Sequence, residues 1–332
     1  MNLASWQRAI LPAQEERLTL AAHWVGSAAH SRLEESGEGT VTGVFDRAVN
    51  IALPRGLVCL VTEGVERGPL NVTMRLPNAI PTMSSFGLRN GDRVRVHNQS
   101  LLIGDGLRVS FASARLYQPG RELARRVVED DKIAANLEAM RKSALLFGST
   151  QGLGELLVLL QTWDEARAGT LNIFASAALP RLVRLEEGFL HENEDMMKEA
   201  VGDLIGLGPG LTPSSDDLLG GMLLICSFYS EKLGRATRAA RFLADATAAA
   251  AHGRTTVVSA EYLRQAALGM GNEPVSRLCG ALLTRGVRSV ERETRRVLAI
   301  GGTSGTDIVL GIVLGAMLCN GERTGLTRRE YH

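Results

Sequence analysis

Between residues 38 and 117 the apolar positions fall in short runs broken by Gly, Pro and Asn: "GTVTGVF", "GLVCLVTEG", "NVTMRLP", "GDRVRVHNQ" and "LRVSFASARL". In the last of these, Leu107, Val109 and Phe111 alternate with Arg108 and Ser110, the two-residue period of a strand with one face on a core. Five or so such strands joined by polar turns predict a small barrel or sandwich. The residues before them are expected to form a helical lead-in. After Pro119-Gly120 the period lengthens, with Leu123, Val127, Ile133, Leu137 and Met140 near helical spacing and few turn signals. Helices are predicted over 122–147, 151–165, 171–183, 193–205, 215–230, 235–251, 255–269, 273–283, 286–299 and 305–319. The expected fold class is α+β: a β-barrel or sandwich-like domain over 1–118, a larger all-α domain over 119–322, and a polar tail over 323–332 that frays.

Composition narrows the function classes. Of 332 residues, 45% are hydrophobic and 22% charged, the balance of an ordinary globular chain. Lys plus Arg number 37 against 36 acids, so a net charge of +1 gives no footprint for nucleic acid or an anionic membrane. The longest apolar runs, 218–229 and 308–319, fall short of the roughly 20 residues that cross a bilayer. They are expected to be core helices. Cys59, Cys226, Cys279 and Cys319 are scattered without metal-ligand spacing, as reduced core cysteines are, and the N-terminal stretch lacks the pattern of a signal peptide. Both features point to the cytoplasm. No Gly-x-Ser-x-Gly elbow, His-Glu-x-x-His, Cys-x-x-Cys or nucleotide loop is present, so common hydrolase, zinc and ATP chemistries have no motif here.

What remains is "GLGPGLTPSSDDLLGG", Gly206 to Gly221. A helix start presents unpaired N–H groups and partial positive charge, a ready site for phosphate or carboxylate. Gly206, Gly208 and Gly210 let the backbone approach such an anion, and Thr212, Ser214 and Ser215 add hydroxyl donors. Asp216 and Asp217 could hold a divalent cation, orient a substrate amide or move a proton. Helix capping accounts for many of these residue types, but not for three alternating glycines. A second stretch, "GGTSGTDIVLG", repeats the spacing, with Thr303, Asp307 and Gly311 placed as Thr212, Asp216 and Gly220 are. Its Thr303, Ser304, Gly305 and Thr306 are candidate anion ligands, and Asp307 joins Asp216 and Asp217 as a candidate catalytic acid. The two helix starts are expected to sit side by side on one ligand, with Gly220, Gly221, Gly311 and Gly315 allowing close packing. Arg254, Thr255 and Thr256 form a third hydroxyl-rich helix start, where Arg254 would bind an anion in bidentate fashion.

The stretch "GLGPGLTPSSDD" resembles the AllH family of oxamate carbamoyltransferase subunits, and the likeness extends from "GVFDRAVNI" through "TTVVSAEYLRQAALG" to "GGTSGTD". The family's usual loop has Gly where this chain has Ser215. The resemblance implies a subunit of an oligomeric, multi-protein carbamoyltransferase of allantoin use. That complex converts oxalurate and phosphate to oxamate and carbamoyl phosphate, alongside an FdrA-like subunit and a further companion chain. It implies a small anionic substrate, but it transfers no catalytic role to a particular residue. A non-catalytic subunit that uses the same loops to grip a small anion or a partner is the alternative.

Overall fold

A computed structural model describes residues 18–120, 126–160 and 169–326. Their contacts divide into two compact units, the first ending at Tyr117 and the second beginning at Gln118.

The first unit is a β-barrel. Its strands are β1 (Leu18–Gly26), β2 (Gly37–Val44), β3 (Ala48–Leu53), β4 (Gly56–Thr62), β5 (Asn71–Met74), β6 (Arg93–His97), β7 (Ser100–Ile103), β8 (Leu107–Ser110) and β9 (Arg115–Tyr117). They pair in the order β5-β4-β3-β2-β6-β7-β8-β1-β9, and a further β5–β1 pairing closes eight of them into a ring, leaving β9 as an appendage on β1. Closure removes the free edges that an open sheet would expose. Between β6 and β7, Asn98 and Gln99 take φ of 45° and 52°, as a tight two-residue hairpin requires. Leu107 and Val109 are buried and Arg108 is exposed, as the alternation predicted.

The lead-in differs from expectation. Residues 18–26 form β1, and only the short α1 (Ser27–Leu33) follows it as helix; residues 1–17 lie outside the described residues. The Leu- and Ala-rich segment suits a helix locally, but β1 gains ladders to three strands at once. It runs parallel to β8 and β9 and antiparallel to β5. Tertiary pairing outweighs a propensity difference of a few tenths of a kcal/mol per residue.

The second unit is all helical among the described residues: α2 (Asp130–Phe147), α3 (Leu156–Leu159), α4 (Ile173–Leu190), α5 (Glu194–Leu204), α6 (Ser214–Leu233), α7 (Thr237–Ala251), α8 (Val257–Ala267), α9 (Glu273–Thr284), α10 (Val287–Leu298) and α11 (Ser304–Cys319). Of the helix predicted over 122–147, residues 122–125 lie outside the described residues, and α2 begins at Asp130, because Val128 donates its N–H to Leu283 O at 2.9 Å instead of entering a helical turn. Of the helix predicted over 151–165, Leu156–Leu159 is helical, 151–155 is a turn, and the part beyond 160 lies outside the described residues. Of the tail predicted to fray, 327–332 lies outside the described residues, and its start is held: Thr324 donates its N–H to Glu186 Oε2 at 3.1 Å, and Leu326 is buried.

The two longest apolar runs became α6 and α11, which pack in parallel at the centre of this unit. Their approach is too close for side chains at three points. A Cβ on Gly311 would lie 1.9 Å from Leu218 O, one on Gly221 would lie 2.2 Å from Ile308 O, and one on Gly315 would lie 2.6 Å from a methyl of Ile225. Gly220, expected to share this role, has nothing within 4 Å of its Cβ position. It lies on the side of α6 away from α11. Gly311→Ala should therefore destabilise the fold by about 2 kcal/mol or more by overpacking. Gly220→Ala should be neutral, or stabilising by up to about 1 kcal/mol, because alanine favours helix. Urea denaturation of the two variants measures the contrast; equal midpoints would contradict it.

Candidate functional site

The parallel packing brings two helix N-termini together. The loop before α6 and the start of α11 are joined where Thr212 Oγ1 and Ser304 Oγ lie 3.3 Å apart. Gly206, Gly208 and Gly210 take φ of 84°, 126° and 94°, a left-handed run that L side chains resist. Gly208 is also pressed against α6, where an added Cβ would lie 2.5 Å from Ser214 N. Among the described residues no protein acceptor takes the N–H groups of Gly208, Gly210, Leu211, Thr212 and Ser214. Amides left unpaired at a helix start are the elements of an anion site.

Several candidate residues hold this loop in place. Ser215 is fully buried; its Oγ donates to Leu204 O and Leu207 O at 2.5 and 2.8 Å and accepts the Leu207 N–H at 3.0 Å. The extra hydroxyl relative to a glycine is thus a latch on the loop. Asp216 is 2% exposed, and both of its oxygens are engaged. Oδ1 accepts the Gly206 N–H at 2.8 Å, and Oδ2 accepts the hydroxyls of Thr255 and, at 2.6 Å, Ser259. Thr256 caps α8 by accepting the Ser259 N–H and donates its hydroxyl to Leu211 O at 2.5 Å. Arg254 is exposed, with Nη1 donating to Gly202 O at 2.8 Å.

Asp217 and Asp307 are placed differently. Asp307 is fully buried; its Oδ1 accepts the Leu153 N–H at 2.8 Å, while its Oδ2 has no hydrogen-bond partner. Asp217 is half-buried, and its Oδ2 is likewise buried without a partner, as is Ser214 Oγ. Burial pushes the Asp217 carboxyl up to about 7; the Ser304 hydroxyl opposes that shift, the Asp307 charge adds to it, and Thr212 and Asp216 contribute less in the same opposed senses. Burial likewise pushes Asp307 up to about 6, against the Leu153 N–H and the nearby hydroxyls of Ser214 and Thr303. Burial thus lifts both carboxyls out of the ordinary carboxylate range, Asp217 further than Asp307. Among the described residues no three His, Cys, Asp or Glu side chains gather as metal ligands do.

A third loop, absent from the sequence reading, completes the site. In "GSTQGLG", 148–154, Ser149 donates its N–H to Thr306 Oγ1 at 2.9 Å, and Leu153 donates to Asp307 as described. Gly152 has φ of 63°, and a Cβ there would lie 2.8 Å from both Asp307 Oδ2 and Ser214 Oγ. Gly305 serves packing: a Cβ would lie 2.1 Å from Val297 O. The third loop repeats the glycine-and-hydroxyl composition of the other two, a signal masked in part by the helix predicted over 151–165.

Residues 204–316 match the family described as oxamate carbamoyltransferase subunit AllH, and residues 19–116 match the AllH family N-terminal domain. No solved structure matches the chain. No helix among the described residues is long and apolar enough to cross a membrane.

The two kinds of aspartate should separate on mutation. Asp217 and Asp307 have folded pKa values raised from 3.8 to about 7 and about 6. Their ionisation penalises the fold not at all below about pH 4, increasingly up to the folded pKa, and fully above it. The gain in melting temperature of Asp217→Asn over the parent should therefore grow from pH 4 to 7 and then level off, and that of Asp307→Asn should level off near pH 6. Asp216→Ala should instead lose about 3 kcal/mol or more, because it strands three donors. Thermal melts across pH 4 to 8 check both; a pH-independent effect of Asp217→Asn would contradict the assignment.

Proposed function

The chain belongs to the AllH family, described as an oxamate carbamoyltransferase subunit, and from that premise we propose that it contributes a proton-holding acid and an anion-binding loop to a carbamoyl-transfer site. The transferase converts oxalurate and phosphate to oxamate and carbamoyl phosphate in the use of allantoin nitrogen. It works with an FdrA-like subunit and a further companion chain. Four free, buried cysteines suit a reducing compartment such as the cytoplasm.

The chemistry follows from the bonds exchanged. A phosphate oxygen attacks the carbamoyl carbon of oxalurate; a C–O bond forms, and the C–N bond to the oxamate nitrogen breaks. That nitrogen is a poor leaving group unless protonated, and Asp217 supplies the proton, which burial and the negative charge of Asp307 help its carboxyl to retain. The free N–H groups at Gly208, Gly210 and Ser214, with the Thr212 and Ser304 hydroxyls, bind the phosphate or the oxalurate carboxylate and stabilise charge developing on the carbamoyl oxygen. Thr303 and Thr306 support the second helix start. The observation that carries this reading is a pair of carboxyls, each with a buried oxygen that lacks a hydrogen-bond partner, beside a loop of unpaired amides. The second reading, a non-catalytic anion-binding or scaffold subunit, draws on Ser215, Asp216, Thr255 and Thr256, all of which are engaged in holding the loop.

In the reconstituted complex, Asp217→Asn should lower phosphorolytic turnover at least about a hundredfold, the scale of a lost general acid, without lowering the melting temperature. The parent's rate should fall as pH rises through about 7, where the donated proton is lost. Steady-state kinetics and a pH–rate profile test this; unchanged turnover favours the scaffold reading.

A further inference from the structure

Two helices of the second unit carry charge of a single sign along their outward faces. In α10 the residues Arg288, Arg292, Arg295 and Arg296 are exposed, while Val290, Glu293, Thr294 and Val297 are buried. At about 100° per residue, the four arginines share an arc of about 100°. In α5 the exposed residues Asp195, Glu199 and Asp203 share an arc of about 80°; Met197, Ala200, Val201 and Leu204 are the buried ones. Arg285 and Glu192, both exposed, stand just before these helices. The two sets therefore have one spacing: 285, 288, 292 and 296 for the cations, and 192, 195, 199 and 203 for the acids. Within each helix the stripe spans about 12 Å.

Inside one chain these stripes are neutralised only in part. Among the described residues Arg285, Arg288 and Asp195 make no ion pair. Arg292 and Arg296 share the single carboxylate of Glu293, at 3.0 and 2.9 Å, and Glu199 and Asp203 share the single guanidinium of Arg184, at 3.8 and 3.9 Å. Glu192 lies 3.5 Å from Arg238. The stripes do not serve each other: α10 packs chiefly on α2, α9 and α11, α5 packs chiefly on α4 and α7, and no ion pair among the described residues joins the two sets. Like charges four residues apart destabilise a helix, so each stripe carries a cost that an opposite charge laid along it would remove.

We propose that a second copy of this chain supplies that charge, with the arginine face of α10 lying along the acidic face of α5 in the other copy, and the reverse pair formed by two-fold symmetry. Both stripes follow the four-residue ridge of their helix, and two such ridges lie along each other when the helices cross at about −50°. The long charged side chains then meet over the whole of both stripes. A second copy fits better than another polyanion, because the complement is present in the chain itself at the same spacing, and a net charge of +1 supplies no general attraction to nucleic acid or an anionic membrane. The cations of the stripe are all arginine, the basic residue enriched at protein interfaces. Exposed ion pairs are weak singly and are screened by salt, so this contact depends on several acting in register and loosens as ionic strength rises.

Sedimentation of the full chain at about 0.1 mM should show a dimer in about 50 mM salt and a monomer in about 500 mM salt. Two double variants test the pairing: Arg288→Glu with Arg296→Glu, and Asp195→Lys with Asp203→Lys. Each changes the first and last charges of a helical stripe, so the altered charges face each other whichever way the helices run. Each variant alone should associate at least about a hundredfold more weakly than the parent at low salt. An equal mixture of the two should form a mixed dimer as strong as the parent's, because every stripe then meets its opposite. Circular-dichroism melts verify that both variants fold. Arg288→Glu alone, which breaks no ion pair within the chain, should weaken association about tenfold and replaces the double variant if loss of the contact between Arg296 and Glu293 lowers the melt. A parent that stays monomeric at low salt, variants that associate as the parent does, or a mixture of folded variants that stays monomeric each overturns the contact.

Discussion

The close approach of α6 and α11 is the constraint from which the rest of the helical unit follows. Two helices at ordinary separation would hold their N-termini too far apart for short side chains to meet. Where Gly221, Gly311 and Gly315 remove the Cβ atoms, backbone lies against backbone, and Thr212 of one helix start reaches Ser304 of the other. Apolar residues cover both helices on most sides, so the pair is buried along its length and its polar end becomes the one place where carboxylates, hydroxyls and amides collect.

That polar end carries an energetic cost that structure elsewhere offsets. A buried carboxylate without a counter-ion opposes folding, and two that interact oppose it further. Asp216 avoids the penalty by accepting from a backbone N–H and two hydroxyls. Asp217 and Asp307 each keep an oxygen without a partner. Two such carboxyls at the meeting of three glycine-rich loops cost the fold stability that apolar side chains of the same size would not. Rigidity comes from the neighbouring residues, since the Ser215 latch and the Thr255 and Thr256 contacts fix the loop from behind and leave its outward amides unpaired.

In the barrel the corresponding constraint is closure. Strand β1 has β5 on one side and β8 and β9 in succession on the other, so the first described segment joins strands distant in sequence. Gly26 ends that strand where a Cβ would lie 2.1 Å from Gly68 O, the tight contact that lets α1 leave the barrel wall.

The chain's own order of residues determined the periodicities, and through them the class: strands from the alternation at 107–111 and core helices from the two uninterrupted apolar runs, while glycines that no cap requires marked a candidate site. It also determined which helices bear carboxylates in their first turn. What it left open depended on contacts between distant segments. Residues 18–26 became a strand because three partners were waiting for them, and 148–154 became a loop held against the second helix start because Thr306 and Asp307 take its amides. The same holds for the aspartates. Asp216 and Asp307 have matching places in a repeated spacing, yet one is fully hydrogen-bonded and the other keeps a bare oxygen, and Asp217, outside the repeat, is raised further by burial than Asp307. A carboxyl's chemistry is set by burial and by the donors around it, and those are decided when α8 and the third loop close over the helix starts.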